Sequence, residues 1–278
     1  MLFTMLALLV AAGTAAADVY YVEEVVNAGF GSKKVGARKT TKQIYLKDKR
    51  QKVESRIETN KQTASALRKQ GQALSFSTIL QLDKRQIYEI DLDRQTYTQE
   101  KLQPVAKKAA EKAAKKTGAP EIKFAVKPSK ETKKIAGLQC KKVVAQMRAR
   151  YRDPKTKKAL KENLYTYTAW VAKDFPGYKE IVAFQEIQAA QTAYPSLIGG
   201  DLEMLRGQVD DFEALEKELE ALEGFVVASR LEITVQYANK EKAVRLFRLD
   251  RKVKSLSHNP LSNSAFEVSG ALTKVKAK

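Results

Sequence analysis

The stretch ILQLDKRQIYEIDLDRQTYT, residues 79–98, decides the architecture. Ile79–Leu82 is mostly apolar, Asp83-Lys84-Arg85 is a polar turn, and Gln86–Leu92 is strand-like. Asp93-Arg94-Gln95 turns again and Thr96-Tyr97-Thr98 runs back. Short β-prone runs separated by polar turns predict a three-stranded meander. Tyr88, Ile90 and Leu92 alternate with polar residues, so period two places them on one face. Asp91 and Asp93 are a close carboxylate pair, but a turn explains them better than acid–base chemistry.

The same pattern extends in both directions. Upstream, Asp18–Phe30 reads as a first strand, and Gln43–Leu46 with Lys52–Ile57 flanks the polar turn Lys47–Gln51 as a hairpin. Downstream, Val143, Ala145, Met147, Ala149 and Tyr151 alternate with Gln146, Arg148 and Arg150. Tyr165, Tyr167, Ala169 and Val171 share a face with Trp170 opposite, and Val227, Ser229, Leu231, Ile233, Val235 and Tyr237 form another. A sheet with one apolar face needs a cover. Three helical segments are expected. Pro104–Thr117 is Ala- and Lys-rich, starting at Pro104 and stopping at Gly118. About Gly177–Tyr194 has apolar positions at Tyr178, Ile181, Phe184 and Ile187. About Leu202–Glu223 has a stripe at Leu202, Leu205, Val209, Phe212, Leu215, Leu219 and Leu222.

The chain has 278 residues and a formal charge of +19. Asp201–Glu223 runs against that trend with nine acidic and two basic residues, so the rest of the chain is +26. Such an excess favours anionic partners such as phospholipid, lipopolysaccharide or acidic polymers. Leu2–Ala12 is apolar apart from Thr4, and Ala15-Ala16-Ala17 precedes Asp18. This predicts a cleavable export signal over 1–17 and a single domain over 18–278 that is periplasmic or secreted. No Lys or Arg precedes the run, so the terminal amine would supply the n-region charge; a buried N-terminal helix is the alternative. Position 18 is Asp, so there is no lipid-anchor cysteine there. Cys140 is the single cysteine, which rules out an intrachain disulfide and reads as a small buried residue. His258 is the single histidine. With one Cys and one His, no metal site or cofactor is expected. No nucleophile elbow, phosphate loop or dinucleotide fingerprint occurs, so catalytic residues are expected to be none.

Three segments carry a resemblance. Thr132-Lys133-Lys134-Ile135-Ala136-Gly137-Leu138-Gln139-Cys140-Lys141-Lys142, Trp170–Tyr178 with its Asp174-Phe175-Pro176-Gly177 element, and Leu261–Gly270 resemble the signatures of an exported bacterial family of unknown function. Ser269 stands where that family has Pro. The family is similar in architecture to the lipoprotein carriers LolA and LolB. The resemblance implies an α+β fold: a strongly curved antiparallel sheet, an incomplete β-barrel, with helices covering its concave face. The helical insertions would fall near 104–117 and 177–223. It also implies an apolar groove for acyl chains.

The expected function is a carrier or binding protein for lipid or lipoprotein acyl chains, working as a monomer. Groove candidates are Tyr88, Ile90, Val143, Met147, Tyr165, Tyr167, Leu231 and Ile233. Lid candidates are Phe184, Ile187, Leu205, Phe212 and Leu219. A filled core is the competing role for each of them. The second functional expectation is a non-enzymatic envelope protein docking on anionic lipids or polymers. Its contact candidates are Lys107, Lys108, Lys112, Lys115 and Lys116, for which a solvated helix face is the alternative. Nucleic acid is not an expected partner outside the cytoplasm.

Overall fold

Asp48, Arg85 and Gln95 each adopt a positive φ, between 52° and 54°. Each closes a short turn where one strand folds back on the next. Ala136 and Gly137 do so together, at 48° and 84°. Two successive left-handed residues make the type I′ turn whose twist matches its flanking strands. The motif Ile135-Ala136-Gly137-Leu138 is therefore a hairpin tip.

The computed structural model describes residues 18–31, 35–104, 121–153, 155–156, 158–192 and 224–276. Six strands come first: β1 (Val19–Asn27), β2 (Arg38–Lys47), β3 (Arg50–Thr59), β4 (Ser75–Gln81), β5 (Gln86–Asp91) and β6 (Thr96–Lys101). Five longer ones follow: β7 (Glu121–Ile135), β8 (Leu138–Arg152), β9 (Ala159–Ala172), β10 (Phe225–Tyr237) and β11 (Val244–Ser257). The two-residue β12 (Thr273–Lys274) is last. Helix α1 (Lys61–Lys69) lies between β3 and β4, and α2 (Tyr178–Gln191) between β9 and β10. All twelve strands form one sheet, in the order β12-β6-β5-β4-β3-β2-β1-β11-β10-β9-β8-β7. β1 thus joins two meanders, pairing with β2 on one side and β11 on the other.

This corrects the expected architecture. The fold is mostly β, and the sheet is mixed and neither curled nor closed, with only two helices among the described residues. The mixed character comes from β12, which runs parallel to β6. The expectation failed for a physical reason. It assumed one apolar face to be wrapped inward, whereas this sheet buries side chains on both faces. Register couples Ile79 to Tyr88 and Ser77 to Ile90 on one face. There they pack with Tyr45, Tyr97 and Phe266 from the C-terminal segment. Phe266 is fully buried, and Gln81 Nε2 donates to its carbonyl at 2.7 Å. Leu80 and Ile87 belong to the opposite face, in a cluster with Tyr21, Ile44, Leu46 and Val53.

Helix α2 covers that second cluster through Ile181 and Phe184. Its entry is set by Gly177 at φ 77°, where a Cβ would stand 2.2 Å from Val19 Cγ2. Only glycine fits both that conformation and that approach. At α1, the Asn60 side chain accepts from the Thr63 amide at 2.8 Å, an N-cap bond, while Arg68 and Lys69 occupy the last turn. Near the start of the described chain, the Leu261 amide donates to Asp18 Oδ2 at 2.6 Å and Lys47 Nζ to the Leu261 carbonyl at 2.6 Å. This clasp starts the C-terminal segment across the sheet.

Candidate functional site

Strands β8, β9, β10 and β11 place their apolar alternation in rows across one face. Val143 stands beside Ala169, Ala169 beside Ser229, and Ser229 beside Arg251. The next row runs Ala145, Tyr167, Leu231, Leu249, and the next Met147, Tyr165, Ile233, Phe247. The apolar members of these rows belong to one cluster, drawn among the described residues from strands; no residue of α2 belongs to it. Ala145, Ala149 and Ala169 keep the layer low between the taller Tyr, Met and Leu side chains.

The first row ends in a charge. Arg251 and Glu23 are both 3% exposed, and Arg251 Nε donates to Glu23 Oε2 at 2.6 Å. Arg251 Nη1 donates to the Val226 carbonyl at 3.3 Å, and the guanidinium lies 5.6 Å from the Phe225 ring centre. Lys42 Nζ approaches Glu23 Oε1 at 3.7 Å from the more exposed side. Burial is the largest single influence on Glu23 and works against its charge. The charges of Arg251 and Lys42, with hydrogen bonds from both, outweigh it and hold the carboxyl below its ordinary value. Arg251 and Lys42 thus both approach the one carboxylate of Glu23, beside an apolar layer.

The structure brings together six of the groove candidates: Val143, Met147, Tyr165, Tyr167, Leu231 and Ile233. Tyr88 and Ile90 lie on the reverse face, with Phe266. Phe184 and Ile187 stand on α2 with the neighbouring cluster around Tyr21 and Phe175. Leu205, Phe212 and Leu219 lie outside the described residues, as do Lys107, Lys108, Lys112, Lys115 and Lys116. Trp170 also faces the reverse side, in a cleft of about 410 Å³ with Lys142, Arg230 and Lys252. Leu92 falls past the end of β5 and is exposed.

Sequence reasoning missed Glu23, Arg251 and Phe247. A signal for Glu23 was present: it is in phase with Val19 and Tyr21, which puts a carboxylate on the buried side of β1. Arg251 likewise stands two residues from the fully buried Val253. Asp91 and Asp93 hold turns: Asp91 Oδ1 accepts from the Arg94 amide at 2.9 Å and Asp93 Oδ2 from the Leu74 amide at 2.8 Å. No cluster of potential metal ligands occurs among the described residues, and no helix among them is long and apolar enough to cross a membrane. No protein-family model matches this chain, and no curated protein matches it.

Proposed function

We propose that this protein is an extracytoplasmic binding protein for acyl chains of lipids or acylated proteins. The acyl chain lies along the β8–β10 face, and its anionic head sits near Lys42 and Arg251. One observation supports the reading above the others: among the described residues, an apolar layer drawn from strands ends at the buried Arg251–Glu23 pair, with the part-exposed Lys42 beside it. Each methylene moved from water to such a layer contributes about 0.8 kcal/mol, so one chain suffices for useful affinity. A cation at the border favours a carboxylate or phosphate head over a neutral one.

Native mass spectrometry of protein purified without detergent, followed by lipid extraction, tests this. A stoichiometric lipid adduct is expected. Ala145→Phe, which raises the floor of the layer, is expected to weaken the adduct about tenfold, or ~1.4 kcal/mol. A clean apo mass that stays clean after incubation with envelope lipids sinks the proposal.

A further inference from the structure

Seven large hydrophobic residues are exposed among the described residues, and five of them gather at one end of the sheet. Phe30 and Val35 belong to the tip joining β1 and β2, Leu160 to the start of β9, and Tyr237 and Val244 to the tip joining β10 and β11. These tips are neighbours. The Gly31 amide donates to the Leu246 carbonyl at 2.8 Å, and the Ala238 amide to the Leu160 carbonyl at 3.1 Å. Phe30 stacks on Phe247, ring centres 4.6 Å apart. Phe247 is buried, but Phe30 is 50% exposed and Val35 64%.

Around these residues stands a basic collar. The β1–β2 tip supplies Arg38. The β8–β9 tip supplies Arg152, Lys155, Lys158 and Lys161. The β10–β11 tip supplies Lys240, Lys242 and Arg245. Against these eight cations the same described segments hold two carboxylates, Asp153 and Glu241, and Arg245 also approaches Glu232 at 4.0 Å. Apolar loop tips within a ring of cations have one physical match, the boundary between anionic headgroups and acyl chains. A polyanion in water would use the collar and leave the apolar tips without a partner.

We infer that this end of the sheet docks on an anionic phospholipid membrane, with Phe30 and Val35 entering below the headgroups and the lysines and arginines remaining at their level. The inference does not depend on acyl binding, because the docking residues lie outside the β8–β10 layer. The docking end lies next to that layer: Phe30 touches Phe247, and Phe247 is a member of the layer.

Sedimentation with vesicles tests it. Vesicles of phosphatidylcholine alone are compared with equal parts of phosphatidylcholine and phosphatidylglycerol, at low and high salt. Wild-type protein is expected to sediment with the mixed vesicles at low salt and to be released by high salt. Lys240→Gln with Lys242→Gln is expected to weaken partitioning roughly twenty-five-fold, about fivefold per cation. Phe30→Ser with Val35→Ser, which leaves charge unchanged, is expected to weaken it about tenfold. Val35→Ser alone guards against a folding effect through the Phe30 stack, and circular dichroism checks each variant. Equal sedimentation with neutral and mixed vesicles, no sedimentation at all, or serine variants that behave as wild type would each overturn the inference. The mass-spectrometric result reads acyl binding separately, so either proposal can fail alone.

Discussion

Gln51 is fully buried beside Leu46 and Leu80, and neither its Nε2 nor its Oε1 finds a hydrogen-bond partner among the described residues. A buried amide left unsatisfied costs about 1–3 kcal/mol. Gln51→Met, close in shape, is therefore expected to raise stability by an amount of that order, read as an upward shift of the urea midpoint. The opposite sign is expected at Gly177. Alanine there must adopt a left-handed φ and meet Val19 at 2.2 Å, so Gly177→Ala is expected to cost about 1–3 kcal/mol in the same assay. Glu23 adds a pH dependence. Its folded carboxyl sits below the unfolded value, so the native state favours the ionised form. That contribution is present above the unfolded pKa, near 4.5, and fades as pH falls through the folded one. Breaking the pair with Arg251→Met leaves a buried carboxylate and costs about 3–5 kcal/mol near neutrality. Denaturation curves from pH 7 to 3 should show wild type and variant converging on the acid side. Curves that stay parallel throughout would refute this role for Glu23.

At the scale of elements, the sequence made the hairpins legible and the layers illegible. The Asp83–Arg85 and Asp93–Gln95 turns, the Val143–Ala149 alternation and the helix near Tyr178 all stand where polar punctuation and period predict. These are local signals, set within about ten residues. The face of the sheet on which a strand's apolar set is buried depends on what covers it, and that is non-local. Tyr88 and Ile90 alternate as cleanly as Tyr165 and Tyr167, yet they are covered by a segment nearly two hundred residues away. β11 runs unbroken from Val244 to Ser257, with bulges in its pairing to both neighbours. The conspicuous motifs have local structural roles. Ala136-Gly137 closes a hairpin, and Asp174–Tyr178 turns the chain into α2. The C-terminal segment is itself an element with a measurable role. Phe266→Ala removes a ring buried between Ile79 and Ile90 and is expected to cost about 3–5 kcal/mol. Tyrosine fluorescence during denaturation would follow it, because Tyr45, Tyr88 and Tyr97 lie in the same cluster.

For the whole molecule, the strand order makes the centre of the sheet different from its margins. Among the described residues, β1, β11 and β10 have strands on both sides, whereas β7 pairs with β8 alone. Hydrogen exchange is expected to be slowest along β1, β10 and β11 and faster at the outward-facing amides of β7. Uniform protection across the sheet would contradict this order. The exposed margin of β7 carries Lys123, Lys127, Lys130, Lys133 and Lys134, with Pro128 among them. Charge and proline discourage a second chain from adding there. The seam at β1 has a consequence of another kind. Tyr20 is opposite Tyr45 on one side and Ser257 on the other. A ribosome releases the first of these partners within seconds of Tyr20 and the second only after more than two hundred further residues. Until then β1 has an open edge, and the loop that must close to cover it spans almost the whole chain. Pairing of β1 with β11 is therefore expected among the last and slowest folding steps, and until it forms that edge of β1 is open to pairing with a neighbouring chain.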